Sequence, residues 1–183
     1  MELLVSDTES MSAVWIGETR SALLAVIFGA YKPRRAKSRL LALRDCLRTK
    51  GYLSTFLVED FPKPVKEHDE TDEAYFLRKS EYWLERCDVG FLVFLCEGNN
   101  DGVGQELRHL CDNLVDRVWR HTVLVEKKCY GTLLISGLLE RFDELLGQAF
   151  FTSDIDLCDL AYGRFPDYVR KLYYQIRNRE PFW

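Results

Sequence analysis

The chain of 183 residues lacks the patterns that mark several classes of function. It has three histidines and six cysteines, and none of them occurs at the paired spacing of a metal site. No serine lies in a GxSxG sequence, which argues against an α/β hydrolase. No apolar run is long enough to span a bilayer. The sequence therefore predicts no metal, no cofactor, no Ser–His–Asp triad and no membrane insertion.

The charge and the cysteines indicate where such a chain would function. Its net charge of −4 implies no general affinity for nucleic acid. The N-terminus is acidic and polar, which argues against a signal peptide. The cysteines are scattered, mostly within apolar patterns, so we expect buried and reduced thiols in a cytoplasmic protein. They are residues 46, 87, 96, 111, 129 and 158.

Short apolar runs alternate with segments of helical periodicity. Five runs predict strands, namely Leu23–Phe28, Leu53–Val58, Val89–Cys96, His121–Val125 and Ala149–Thr152. Five helices are predicted beside them: Arg35–Lys50, a helix capped by Asp72 that continues to Cys87, Val103–Arg117, Leu133–Leu146, and Asp154–Arg179 with Gly163 and Pro166 as candidate break points.

This alternation predicts an α/β protein with a three-layer, flavodoxin-like architecture. The sheet would hold five parallel strands in the order 2-1-3-4-5, with helices on both faces. Residues 21–183 would form this single domain, and residues 1–20 would be a loosely ordered N-terminal arm. In such a sheet, ligands bind outside the carboxyl ends of strands one and three, where the strand order reverses.

The loops after these two strands have the most unusual compositions in the chain. GAYKPRR follows strand one and contains Gly29, Tyr31, Lys32, Arg34 and Arg35. Cationic side chains at the start of a helix suit a phosphate or carboxylate group, although a solvated helix face gives the same pattern. The tyrosine would stack on a base or simply pack. EGNNDGVGQE follows strand three, so topology predicts that the two loops lie side by side.

Glu106 is the candidate reactive group. It falls at the edge of the apolar stripe of its helix, where the wall of a cleft would be. The positive end of the helix dipole would keep its carboxylate ionised, as a nucleophile requires. Gly102 and Gly104 would allow a ligand to approach the backbone. The alternatives are a glutamate that stabilises its own helix and glycines that form a tight turn.

The segments IFGAYKP and DGVGQEL carry a resemblance to a known family. With a buried strand that opens at Asp88, they are similar to the active-site segments of nucleoside 2-deoxyribosyltransferases, over about Ala22–Val125. The resemblance implies a short flavodoxin-like fold in which Glu106 attacks the anomeric carbon. Asn100 stands where that family has a substrate-binding aspartate, and Asp101 is adjacent.

The wider relatives of that family include TIR-like domains, some of which cleave the nicotinamide–ribose bond of NAD with a helix-borne glutamate. Both reactions pass through an oxocarbenium-like sugar. We therefore expect an enzyme that hydrolyses or transfers the N-glycosidic bond of a nucleoside or nucleotide. The alternatives are a non-catalytic nucleotide sensor or signalling module, an NAD glycohydrolase, and a domain that serves interactions alone.

The last predicted helix is rich in aromatic residues, which is typical of either core or a homodimer interface. These residues are Tyr162, Phe165, Tyr168, Tyr173, Tyr174, Phe182 and Trp183.

Overall fold

A computed structural model of the chain contains one parallel sheet of five strands. It describes residues 20–132, 137, 139–140, 142 and 149–177, with residues 170 and 172–177 described by their backbone alone. The strands are β1 (Ala25–Gly29), β2 (Thr55–Leu57), β3 (Val89–Phe94), β4 (His121–Glu126) and β5 (Ala149–Phe151).

The strand order is β2-β1-β3-β4-β5, and all four pairings are parallel. In the register of the central pair, Ala25 lies opposite Val89 and Gly29 opposite Val93. The α/β class and the predicted order 2-1-3-4-5 are therefore confirmed. The carboxyl ends of β1 and β3 meet at the point where the strand order reverses.

Four described helices cover the two faces of this sheet. They are α1 (Arg34–Thr49), α2 (Asp72–Arg86), α3 (Asp101–Asn113) and α4 (Asp154–Arg177). The first and the last pack together on one face, and α2 and α3 pack together on the other. Three short 3₁₀ segments, Val58–Asp60, Val115–Arg120 and Lys127–Thr132, follow β2, α3 and β4.

Both faces of the central strands are buried, which requires the three layers. Successive side chains of a strand point to opposite faces. Ile27 accordingly packs with α1 and α4, whereas its neighbour Phe28 packs with α3. All six residues of β3 are buried, as is typical of a strand in a doubly covered parallel sheet.

Several helix ends differ from the sequence prediction. Thr71 caps α2, since its side chain accepts a hydrogen bond from the backbone N–H of Ala74 at 3.2 Å, and the expected cap Asp72 is the first helical residue. The helix after β3 begins at Asp101 rather than Val103. In α2, the side-chain oxygen of Thr71, one residue before Asp72, takes the cap position. Sequence propensity alone does not resolve helix ends to the residue.

The last helix runs without a break through both candidate break points, so that expectation was wrong. Pro166 lies inside α4. The apolar face of the helix continues across it, because Phe165, Tyr168 and Val169 are all buried in the core. Packing along this face offsets the loss of one backbone hydrogen bond.

The aromatic side chains of α4 that the structure describes belong largely to the core. Phe165 stacks on Tyr52 with ring centroids 3.5 Å apart, and Tyr168 stacks on Trp119 at 5.3 Å. Phe182 and Trp183, like the side chains of Tyr173 and Tyr174, lie outside the described residues. The homodimer through this helix stays a prediction.

Two further predicted segments fall mainly outside the described residues. The N-terminal arm, residues 1–20, is described only at Arg20, which is helical. Of the predicted helix Leu133–Leu146, the described residues 137, 139–140 and 142 are helical, and Leu139 and Phe142 are buried beside α3. No described helix is both long and apolar enough to cross a membrane.

The expectation that all six cysteines are reduced was wrong. Cys46 on α1 and Cys158 on α4 form a disulfide, with their Cα atoms 6.4 Å apart. The two cysteines are separated by 112 residues in sequence, and only the packing of the two helices brings them together. The other four cysteines form no disulfide; they are Cys87, Cys96, Cys111 and Cys129.

We expect this disulfide to stabilise the fold, because it closes a long loop in the unfolded chain. Replacing Cys158 with Ser should lower the free energy of unfolding by about 2–4 kcal/mol. Urea unfolding with and without a thiol reductant measures this loss. The reductant should destabilise the native protein and leave the Cys158→Ser variant unchanged. Alkylation of all six cysteines in unreduced, denatured protein would contradict the assignment.

Candidate functional site

The two loops singled out in the sequence lie side by side, as the topology predicts. The backbone N–H of Asn99 donates a hydrogen bond to the carbonyl of Lys32 at 3.1 Å. Gly98 approaches the first loop so closely that a Cβ atom there would lie 2.5 Å from the Cβ of Ala30. The carboxyl ends of β1 and β3 are therefore joined by direct contact between their loops.

Asn100 holds the second loop in shape rather than facing a ligand. Its side-chain amide donates to the carbonyls of Leu95 at 2.9 Å and Gly98 at 3.3 Å, and its oxygen accepts from the N–H of Leu95 at 3.3 Å. Asp101 is the first residue of α3, and its side chain is exposed. Of the two candidates for binding sugar hydroxyls, Asp101 is thus the one whose side chain faces solvent.

The three candidate glycines occupy different environments. Gly29 ends β1 and is buried, and a Cβ atom there would lie 3.0 Å from the side chain of Leu40. Gly104 is buried within α3, whereas Gly102 in the first turn is exposed and has nothing within 4 Å of an added Cβ. Gly102 is therefore the glycine that leaves its backbone open to solvent.

Glu106 lies in the second turn of α3, and its side chain is enclosed by the protein. The residue is only 6% exposed. Ser80, on the adjacent helix α2, forms a hydrogen bond with its carboxyl group. The atom Oε2 is buried and has no hydrogen-bond partner among the residues that the structure describes. A buried oxygen without a partner is rare in proteins and calls for an explanation.

Burial of Glu106 works against the ionised state that the sequence predicts. Burial raises the pKa of the carboxyl from its ordinary value of 4.5 to about 7, against the lowering effect of the Ser80 hydrogen bond, and the nearby Glu81 raises it further. We expected the helix dipole to keep this group ionised. Desolvation outweighs the dipole, because the partial charge acts mainly within the first turn and Glu106 lies beyond it.

Tyr31 lies beside this carboxyl group and packs against both halves of the core. Its hydroxyl oxygen accepts a hydrogen bond from the backbone N–H of Val58 at 3.1 Å. Burial raises the pKa of this hydroxyl above its ordinary range, and the charges of Glu106 and Glu59 raise it further. The first loop thus brings a neutral phenol close to the buried glutamate.

The predicted phosphate-binding cations lie at the surface near the start of α1. Lys32 and Arg34 are exposed, and neither has an ion pair among the described residues. Arg35 is exposed too, with its Nε 3.9 Å from Glu97. None of the described ion pairs joins Glu106 to Arg34 or Arg35, which is the contact that a filled-in, non-functional pocket would show.

Arg39 forms an ion network that the sequence did not reveal. Its guanidinium donates to Glu97 and Glu126 at 3.0 Å and to Asp154 at 2.6 Å. In the sequence, Arg39 is one of several basic residues on the polar side of α1, a pattern that is typical of a solvated helix face. Its carboxylate partners come from distant parts of the chain, so the helical pattern contains no trace of this network.

Glu126, which ends β4, contrasts with Glu106. Burial alone would raise its pKa, but hydrogen bonds from the N–H of Cys96, from Lys128 and from Arg39 outweigh burial and hold the pKa at about 2. The pKa values of these two buried glutamates are therefore shifted in opposite directions, because among the described residues only Glu126 has cationic partners.

Two free thiols converge on Glu126. The side-chain ligand atoms of Cys96, Glu126 and Cys129 all lie within 4.8 Å of one another. Burial, followed by the influence of Cys129 and Glu126, raises the pKa of the Cys96 thiol to about 12. Sequence inspection found no metal-like spacing because Cys96 and Cys129 follow different strands.

A small cavity of about 70 Å³ opens at the other edge of the sheet, beside the amino ends of β3 and β4. In a parallel sheet all the carboxyl ends lie at one edge, and Glu106 follows the carboxyl end of β3. The cavity, which lies beside the amino ends, is therefore remote from Glu106. Cationic and aromatic side chains dominate its lining, which comprises Val89, Trp119, Arg120, His121, Thr122, Arg164, Asp167, Tyr168 and Lys171.

Comparisons of the chain with models of known protein families, with curated proteins and with solved structures found no match. The resemblance to nucleoside 2-deoxyribosyltransferases therefore stays a prediction based on two short segments. The chemistry of the site has to be argued from its own geometry.

Two glycine substitutions should affect the stability of the protein differently, because Gly98 lies in the contact between the loops and Gly102 does not. Replacing Gly98 with Ala should destabilise the protein by about 1–3 kcal/mol, because the new methyl group collides with Ala30. Replacing Gly102 with Ala should be neutral or stabilise by up to about 1 kcal/mol, because this helical position is open. Urea unfolding of both variants measures the difference, and equal effects would show that the loops do not touch.

The raised pKa of Glu106 predicts that this residue destabilises the protein at high pH. The folded state holds the carboxyl proton more tightly than the unfolded state, so stability falls as pH rises from about 4.5 to 7. Replacing Glu106 with Gln should therefore change the free energy of unfolding more favourably at pH 8 than at pH 5. The difference between the two effects should be on the order of 3 kcal/mol.

Urea unfolding of wild type and variant at both pH values measures this difference. Glu73→Gln on the exposed face of α2 is the matched control. A Glu106→Gln effect that is the same at pH 5 and pH 8 would contradict the raised pKa.

Proposed function

We propose that this protein hydrolyses or transfers the N-glycosidic bond of a nucleoside or nucleotide, with Glu106 acting on the sugar. One observation carries the proposal. A buried glutamate with an unpaired oxygen lies where ligands bind in sheets of this topology. Such a carboxyl is expensive to maintain, and its pKa of about 7 suits a group that changes charge during a reaction.

The chemistry follows from how an N-glycosidic bond breaks. Positive charge develops on the sugar as the base departs. A carboxylate beneath the ring stabilises this charge or forms a covalent bond to the anomeric carbon. In the proposed reaction the ionised form of Glu106 does this work. The side chain is buried, and no cation among the described residues pairs with it, so the attraction to the cationic sugar is weakly screened.

The neighbouring residues have distinct proposed roles. Tyr31 contacts the base, and Asp101 holds sugar hydroxyls. The exposed cations Lys32, Arg34 and Arg35 hold a phosphate near the start of α1. Since Glu106 is nearly enclosed, the proposed reaction requires a movement that exposes its carboxyl group to the substrate. The spare cations favour a nucleotide over a free nucleoside.

A second candidate is a non-catalytic nucleotide-binding module. The same cations would bind phosphate, and Glu106 would only shape the interior. The near-complete burial of Glu106 favours this alternative, since a group that stays enclosed never meets a substrate. An NAD glycohydrolase is a narrower form of the enzymatic proposal with the same glutamate.

The test is a product assay with purified protein. Wild type, Glu106→Gln and the control Glu73→Gln are incubated with deoxynucleosides, nucleoside monophosphates and NAD, and released base is measured by chromatography. We expect release by wild type and the control, reduced roughly 10²–10⁴-fold in Glu106→Gln. Release that is unchanged in Glu106→Gln would refute the role of this residue. Ligand-induced thermal stabilisation without release would support the binding module.

The pH dependence provides an independent check. The reaction needs the ionised carboxylate, so kcat/KM should rise with pH through an apparent pKa near 7. The rise reports the free enzyme and should be seen for every accepted substrate. A profile that is flat between about pH 6 and 8 would indicate that Glu106 does not titrate in the reaction.

A further inference from the structure

We propose that Cys96, Glu126 and Cys129 form a binding site for a soft divalent cation such as zinc. The site is separate from Glu106 and independent of the proposed function. The proposal rests on geometry. Two thiol sulfurs and a carboxylate oxygen, from three parts of the chain, lie within 4.8 Å of one another. Thiolate and carboxylate are both established ligands of zinc.

The backbone holds the three ligands in place before any metal binds. Cys96 follows β3, Glu126 ends β4, and Cys129 lies in the 3₁₀ segment Lys127–Thr132. The N–H of Cys96 donates to Oε2 of Glu126 at 2.8 Å, and the thiol of Cys129 donates to the Glu126 carbonyl at 3.1 Å. These bonds join the three ligands to one strand end.

The separations suit a tetrahedral centre. Zinc–sulfur bonds are about 2.3 Å long, so two thiolates on one zinc ion lie roughly 3.8 Å apart. Ligand atoms within 4.8 Å of one another need to move by about 1 Å or less to reach that spacing. Rotation of the cysteine side chains covers such a distance. Three protein ligands leave the fourth position for water.

The two carboxylate oxygens of Glu126 have different cationic partners, one largely buried and one exposed. Oε2 accepts from the guanidinium of Arg39 at 3.0 Å, and that side chain is only 13% exposed. Oε1 pairs at 3.0 Å with Lys128, whose side chain is 69% exposed. A metal would therefore take Oε1 and displace Lys128 into solvent. Arg39 would remain as the outer partner that orients the ligand.

Charge balance favours a divalent ion at this site. Thiolate is the form that binds metal, so both thiols lose their protons. Two S–H bonds break, two metal–sulfur bonds form, and two protons leave for solvent. The two negative charges created equal the two positive charges that arrive. The metal and the two thiolates together add no net charge beside Arg39, which keeps its pairing with Glu97 and Asp154.

Cadmium binding to chelator-treated protein with the Cys46–Cys158 disulfide intact tests the site, because cadmium–thiolate bonds have an ultraviolet charge-transfer band. We expect one cadmium per chain in wild type. Cys96→Ser and Cys129→Ser should each lose the band. Loss of an outer partner already costs roughly 10–100-fold in metal affinity, so loss of a ligand should weaken binding by more.

Two further variants separate the site from general effects on folding. Cys111→Ser removes a buried thiol outside the cluster and should retain the band. Lys128→Ala removes the competitor for Oε1 and should tighten cadmium binding. The side chains of Cys96 and Lys128 are at least partly exposed. We therefore expect Cys96→Ser and Lys128→Ala to leave the fold intact, and circular dichroism checks this.

The proposal is overturned if wild type shows no charge-transfer band. It is also overturned if Cys96→Ser, folded as judged by circular dichroism, keeps the full band. Weaker binding in Lys128→Ala would refute the assignment of Oε1 as the ligand atom. Metal-induced thermal stabilisation should follow the same order among the variants, since a ligand that binds only the folded state stabilises it.

Discussion

The burial of β3 on both faces is the constraint on which the rest of this protein depends. All six of its residues are buried, and it pairs in parallel with β1 on one side and β4 on the other. A central parallel strand needs helices above and below it, and each connection has to return to the same edge. The polar residues that follow the strands are therefore gathered along one edge of the sheet.

Electrostatics divide that edge into two regions. Beside β4, Arg39 holds three carboxylates in a network, and hydrogen bonds from the N–H of Cys96, from Lys128 and from Arg39 keep Glu126 ionised. On α3, Glu106 has no cationic partner among the described residues, and desolvation raises its pKa to about 7. Pairs of acids whose environments separate their pKa values are typical of sites that use one group in each protonation state. The first region is suited to holding ions in place, and the second to changing charge.

The loops connect these regions mechanically. Asn99 and Gly98 touch the loop after β1, and Asn100 holds the same turn through three hydrogen bonds to its backbone. Cys96 lies in this turn, and its N–H is bonded to Glu126. The Cys46–Cys158 disulfide joins α1 to α4.

The sequence by itself determined the class of the fold, the strand order and the approach of the two loops, because hydrophobic runs and parallel connectivity are local properties of the chain. It also singled out Glu106 as the acid to examine. Only the tertiary structure decided the raised pKa of that acid, the disulfide, the Arg39 network and the convergence of Cys96 with Cys129. Each depends on distances between segments far apart in sequence, and on the removal of water around them, which no local pattern encodes.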